Sequence, residues 1–390
     1  MNANHDTISL PEIPVQTPHT SGFSYWELKQ FFNTPDFVVV GAGIVGLSCA
    51  LSLRKRFPKA SVLVLERGLM PQGASTKNAG FACFGSISEL LDDMNTMTEE
   101  ELLALVEKRY KGIRLLRSTL GDKAIGYKSH GGYEVFLKGD PDFFMACLEH
   151  RKRVNKLLKP VLGKKVFEVV RNDFGFEGIQ DHMMLNRYEG QIDTGKMMQA
   201  LYTKCVKKRI NILYGVQLES YTQGNDKVTL KTNVGEFDCG KLLLATNAFA
   251  GEVMGESVTP ARAQVLITEP IKDLPFKGTF HMDRGYYYFR NINGRILFGG
   301  GRNLDLSGEE TTAFGTTPLI QDKLEELLQK VILPGTPVGI EARWSGIMGV
   351  GDSKAPVIRL LSDHVACGVR LGGMGVAIGS HTGKELSHLF

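Results

Sequence analysis

The sequence predicts an α/β protein: a Rossmann-like dinucleotide-binding domain interleaved with a second, α+β domain built on a mostly antiparallel sheet. Three observations carry that reading. A β-branched run, Phe37–Val40, leads straight into Gly41, Gly43 and Gly46 at G-x-G-x-x-G spacing. A second glycine cluster, Gly372, Gly373 and Gly375, again sits between a strand-like and a helix-like stretch, some 330 residues later. Between them, runs of strand period alternate with helical segments, and the chain leaves the nucleotide part and returns to it.

Each residue of the first stretch has a physical task. Phe37–Val40 reads as a buried parallel strand. Gly41 allows the tight turn, Gly43 lets backbone approach a pyrophosphate, and Gly46 lets helix and strand pack closely. Leu47 to Arg56 reads as a helix stopped by Pro58. Its N-terminus, entered through Ile44 and Val45, offers unpaired N–H groups and a positive dipole end to phosphate. A second strand, Ser61 to Leu65, ends at Glu66, twenty positions after Gly46, where a carboxylate can accept from a ribose diol. An acid there disfavours a 2′-phosphate, which sets NADP aside. The motif leaves FAD and NAD open.

Composition bounds the rest. A chain of 390 residues can bury a large core, and two domains are the natural expectation. It is 43% hydrophobic and 23% charged with a net charge of +4, which calls for neither nucleic acid nor a membrane surface. The basic clusters Arg151–Arg153 with Lys164 and Lys165, and Lys204 with Lys207–Arg209, lack interleaved aromatics and read as solvated helix faces. The six cysteines form no C-x-x-C pair, so neither a zinc site nor a disulfide framework is expected. Free thiols, no run of transmembrane length and no cationic, apolar leader together predict a cytoplasmic protein.

Along the chain, residues 1–35 read as an arm, polar and proline-bearing at first, with a short helix at Ser24–Glu27. The loop Arg67–Gly85 is rich in small and hydroxyl residues, among them Ala74, Ser75, Asn78, Ala79 and Gly80, as backbone wrapped around a ligand would be. Leu90–Leu120 has the period of two helices broken near Met97 and Thr98. Gly131–Leu137 opens the second sheet, Pro141–Leu158 and Thr194–Arg209 are helical, and Ile210–Leu218 reads as one strand. Lys241–Leu244 reads as a parallel strand ending at a ligand-side loop with Asn247. Residues 36–125, 185–259 and 338–390 are thus assigned to the nucleotide domain, and 126–184 and 260–337 to the substrate domain. The second glycine cluster, with Met374 and Val376, aims another helix N-terminus at the same fold. Two such ends suit a ligand longer than a nucleotide, the second facing an isoalloxazine edge that becomes negative on reduction.

These residues resemble the FAD-dependent amine and D-amino-acid oxidoreductases, the group of D-amino-acid, glycine and sarcosine oxidases. The resemblance runs from about Phe37 to Leu389. It rests on the Gly41–Gly46 fingerprint with Glu66 and Arg67, the Gly73–Gly80 loop, Ala245–Ala248, Gly294–Gly300, Arg343–Gly346 and Gly372–Gly375. It implies FAD, with Glu66 on the adenosine ribose, Ser75 to Gly80 along pyrophosphate and flavin, and Val216 beside the adenine. It also implies a substrate sheet over the flavin and hydride transfer from a C–H next to nitrogen onto flavin N5, giving an imine that hydrolyses. Such chemistry needs few protein acids or bases.

Departures from the family narrow the substrate. D-amino-acid and glycine oxidases place a carboxylate-clamping arginine shortly after the tryptophan–glycine turn, where Met348 stands here. The run Tyr287–Gly300 and Ser24–Glu27 look more like the γ-glutamylputrescine oxidoreductase branch, which implies an amine whose carboxylate is distant. Tyr286 and Tyr288 share one strand face and Tyr287 the other, and Arg290 and Arg302 are the candidate anion contacts, with His281 a weaker candidate. Ser345 and Gly346 occupy the place where some sarcosine oxidases bond a cysteine to flavin, so FAD is expected to be noncovalent. The lysine those enzymes carry in the sheet is replaced near Leu297, which leaves oxygen or another acceptor open. Two other readings have less support: a tRNA wobble-base demodifying enzyme, resting on the basic clusters alone, and a catalytically silent FAD-binding protein, resting on Met348.

Overall fold

The computed structural model describes residues 23–163, 165–254 and 258–390. The first 22 residues of the expected arm lie outside them. Phe37–Val40 is the centre of a six-stranded sheet, in the order Val357–Leu360, Val365–Val369, Lys241–Leu244, Phe37–Val40, Val62–Glu66 and Asn211–Tyr214. Four of its five pairings are parallel, and the edge strand Val357–Leu360 pairs antiparallel. Both faces of this sheet are covered, so all four residues of the first strand are buried, as a continuous apolar run requires. Val38, Val40, Leu63 and Leu65 pack on a three-stranded antiparallel layer through Leu218, Val228, Leu230 and Phe237. Val39 and Val64 face the opposite way, among the residues of the helices Ile44–Arg56 and Gly375–Ser387.

The second sheet has eight strands and is antiparallel except where Thr279–Met282 runs parallel to Gly132–Val135. Phe280, Phe289, Phe276 and Phe176 pack ring on ring beneath it, with Tyr287 and Phe298 in the same cluster. The predicted break between two helices is real: Ile87–Asp93 ends, and Thr98 caps Glu99–Leu120 with a reciprocal Thr98–Glu101 box.

Three boundaries differ from expectation. Ile340–Val350, assigned with the nucleotide part from residue 338, is paired along its length with Thr259–Thr268, at the edge of the eight-stranded sheet. The stretch Ile210–Leu218 breaks at Gly215, whose φ of 73° turns the chain between Asn211–Tyr214 in one sheet and Leu218–Gln223 in another. The tyrosine strand begins at Tyr287, because Asp283 and Arg284 hold left-handed φ values of 49° and 53° and place Tyr286 in a turn.

The closest approach in the nucleotide part is at Gly46. A Cβ there would stand 1.8 Å from the Gly41 carbonyl oxygen. Backbone meets backbone, so no side chain can yield. Gly46→Ala is therefore expected to cost at least the roughly 1–3 kcal/mol of ordinary overpacking, read as a lowered Tm and lost flavin retention. Unchanged Tm and flavin content would contradict this account of the packing.

Candidate functional site

The two glycine turns open onto one cleft of about 510 Å³, which also reaches the tyrosine strand. Gly41, Gly43, Ile44 and Val45 line it, and Gly46 lies behind them as the packing residue. Ser75 Oγ accepts from the Ile44 N–H at 2.9 Å, tying the small-residue loop to the helix start. Glu66 is held by two backbone donors: Ala42 N–H to Oε2 at 3.0 Å and Gly68 N–H to Oε1 at 3.1 Å. Glu66 also lines the cleft, and a carboxylate oxygen can accept more than one hydrogen bond. Arg67 stacks on Phe249, 4.0 Å from the ring centre, and Val216 closes the same end.

Asn78 shapes the loop from within. Its Nδ2 donates to Ala74 and Ser75 carbonyls, and its Oδ1 accepts from Gly80 N–H at 2.9 Å and Thr194 Oγ at 3.0 Å. Ala74, Ala79 and Gly80 thereby line the cleft. Across it, Asn247 accepts from Leu371 N–H at 3.1 Å and steadies the turn that presents Gly372, Gly373, Met374, Gly375 and Val376. A Cβ on Gly372 or Gly73 would meet nothing within 4 Å. The Thr246 hydroxyl at the cleft is buried with no partner among the described residues. Room beside two helix N-termini and an unpartnered donor suit FAD.

The predicted substrate residues divide. Tyr286, Tyr288 and Arg302 line the cleft, as does Met348. Burial pushes the Tyr288 phenol up to about 12, so it stays a neutral donor at neutral pH. Arg302 is half-buried, and its guanidinium meets no acceptor among the described residues. Arg290 does not line the cleft. It shares the Tyr288 face two residues further on, where the Gly80 loop covers it; a Cβ on Gly80 would lie 2.8 Å from its Nη2. Burial lowers Arg290 to about 10, opposed by Asp193, so it remains a cation supporting the loop from behind.

An acidic and histidine network against the same cleft was not foreseen beyond His281. His281 Nε2 is 3.4 Å from Glu189 Oε2, and its Nδ1 is 3.9 Å from Glu89 Oε2. Burial disfavours the charged ring, yet Glu189, Glu89 and Glu134 outweigh it and push His281 up to about 9. Burial raises Glu134 to about 7 against hydrogen bonds from Ser88. Cys83 completes a group with Glu189 and His281 whose ligand atoms lie within 4.8 Å of one another. Its thiol is raised well above the usual range, by burial first. Ser86 and Glu89, a capping-box pair in the sequence, signal a helix start, but only the fold turns Glu89 toward the cleft. No pattern marks Glu189.

The family model described as FAD dependent oxidoreductase, DAO, matches residues 36–389. A bifunctional protein ThiO/ThiG of Trichormus variabilis is 22% identical over 334 residues, covering 83% of this chain and 48% of that protein. The chain thus spans about half the length of that relative. Glycine oxidase from Geobacillus kaustophilus superposes with a TM-score of 0.73 at 17% identity, over 91% of this chain and 94% of that one. L-proline dehydrogenase from P. horikoshii gives 0.71 at 18% identity, over 91% and 93%. At such identities the two structures establish the fold.

The His281 shift predicts a pH dependence of stability. A folded value of about 9 against 6.5 stabilises the fold fully below about 6.5, and this is lost as pH rises toward 9. The corresponding loss for Glu134 falls between 4.5 and about 7, so the upper window belongs to His281. Tm is expected to fall from pH 7 to 9, and His281→Gln to flatten that slope. An equal slope in both proteins would count against the buried imidazolium.

Proposed function

The chain belongs to the FAD dependent oxidoreductase family, DAO, and from that premise we propose that it oxidises the CH–NH bond of a small amine or amino-acid derivative bearing an anionic group away from the reacting carbon. The observation that supports this most is the single cleft running from the Gly41–Gly46 turn to Tyr286, Tyr288 and Arg302. Glu66 would hold the adenosine ribose. Ser75 and the first turn of Ile44–Arg56 would hold the pyrophosphate, and Asn78–Gly80 with Gly372–Val376 the flavin. When bound, FAD supplies the acceptor for the hydride that leaves the carbon beside nitrogen.

The chain's own residues bind and orient. Tyr288 and Tyr286 wall the substrate end. Arg302 offers a free guanidinium, a fitting partner for a carboxylate. Met348 occupies cleft space without charge, so a carboxylate on the reacting carbon finds no clamp there. The imine so formed hydrolyses to a carbonyl compound and an amine or ammonia. FAD is held noncovalently in this reading, because Cys83 is the one cysteine at the cleft and its burial disfavours a thiolate. Oxygen or another acceptor completes the cycle.

An anaerobic panel of primary and secondary amines, D-amino acids and γ-glutamyl amines tests the reaction through bleaching of the flavin band, with oxygen then readmitted. At least one amine should bleach it; a flavin that no amine on the panel reduces would defeat the proposal. Acid precipitation should release the flavin into the supernatant. Arg302→Met should raise KM for the anionic substrate roughly ten- to hundred-fold, the worth of a charged hydrogen bond of about 1.5–3 kcal/mol, and leave a neutral analogue unaffected.

A further inference from the structure

We propose that Glu89 is the general base of the cleft, taking the proton that a protonated amine must surrender before its CH–NH bond is oxidised, with His281 and Glu189 as positioning residues. This rests on the amine-oxidation reading above. Alkyl amines titrate near the lysine value of about 10.4 and arrive protonated at neutral pH. An ammonium has no lone pair to form the C=N bond, so its carbon cannot release hydride until a base acts.

Geometry singles out one atom. Glu89 lies on the helix Ile87–Asp93, lines the cleft, and keeps 17% of its side chain exposed. Its Oε2 accepts the Ser86 N–H at 2.9 Å and lies 3.9 Å from His281 Nδ1. Its Oε1 takes no hydrogen bond among the described residues. It sits over Gly285, where a Cβ would stand 2.9 Å from it.

The neighbouring charges are otherwise engaged. On the same helix, Asp92 faces Arg284 at 3.6 Å and Asp93 pairs with Lys354. From other elements, Glu189 accepts from Phe84 N–H and Asn186, Glu134 from Ser88, and Arg109 donates to the Phe84 carbonyl. Cys83 and Tyr288 are neutral groups of the same cleft, and Tyr286 lines it too. The cluster also abuts the expected flavin end. Cys83 Sγ is 3.7 Å from Met374 Sδ, and the Phe81 ring bridges His281 and Tyr288 at 5.3 and 5.6 Å.

In the step itself, the substrate N–H bond breaks and an O–H bond forms on Glu89 Oε1, while the electron pair stays on nitrogen. That pair becomes the C=N bond as hydride leaves for FAD. Glu89 then returns its proton to water through the cleft.

The test uses the FAD-loaded enzyme and an amine that lacks an α-hydrogen, tert-butylamine. Binding is followed by the change in flavin absorbance from pH 7 to 10, alongside reduction rates with the fastest panel amine. With the carboxylate present, ammonium with Glu89 and amine with protonated Glu89 are the same complex. Wild-type Kd should therefore vary less than about threefold from pH 7 to 9. In Glu89→Gln only the free base binds, and Kd should weaken about tenfold per pH unit lost, with both proteins converging near pH 10. Glutamine also serves in a capping box, so the helix start survives. Glu89→Asp should restore the flat profile. Equal slopes in wild type and Glu89→Gln, with wild-type flavin reduced by amines, would overturn the base assignment alone. Failure of every panel amine to reduce wild-type flavin would defeat the amine reading, and this proposal with it.

Discussion

Everything at the site depends on one close contact, that of the Ile44–Arg56 helix with the strand and helix beside it. Gly46 brings the helix start onto the Gly41 turn. On another side, the final helix, Gly375–Ser387, presses backbone on backbone: a Cβ on Gly383 would lie 2.4 Å from the Val45 carbonyl oxygen. Two helices this close, both rising from the same sheet, bring two N-termini to one cleft. Their dipole ends and N-terminal N–H groups then face one cleft. A larger residue at either contact would separate the turns, and the cleft would no longer match a single long cofactor.

The eight-stranded sheet is joined to that cleft by a few polar contacts that reach the small-residue loop. Trp344 Nε1 donates to the Lys77 carbonyl at 3.0 Å, and Arg290 backs Gly80. Asn78 is fixed from a third side by Thr194. The loop is therefore gripped between both sheets, which explains its small residues. Bulk at these positions would meet either the cleft or the sheet. The same sheet keeps its phenylalanines on the far side and turns Tyr288 inward, so one strand supplies core on one face and site on the other.

The strap from Gly301 to Thr317 gives Arg302 its position. Glu309 is fully buried and receives two bonds of 2.8 Å from Arg262 and one of 2.9 Å from Gln264. Gly315 N–H donates to Ser345 at 3.0 Å. A buried carboxylate is tolerated because it is bidentate and paired. The anchored strap leaves Arg302 at the cleft, with no acceptor among the described residues.

Much of the fold was legible in the residues because its signals are local. The strand–glycine–helix order at Phe37–Arg56, the acid at Glu66, the helix break near Thr98, and the apolar run Lys241–Leu244 each show within a few positions. Strand membership of Ile340–Val350 and the break at Gly215 were not legible, since hydrogen-bond partners lie scores of residues away. The same holds for the site. Glycines and small residues along the cleft announce themselves by type and spacing. Whether Arg290 or Arg302 faces the cleft depends on which loop covers the sheet, and Glu89, Glu189 and His281 meet only because three separate elements converge. The sequence alone determined a dinucleotide fold and the glycines and small residues that line its cleft, because those signals are met residue by residue. Tertiary structure decided which charges stand free in the cleft and which are buried in pairs, because desolvation and partner distance exist only after the chain has folded.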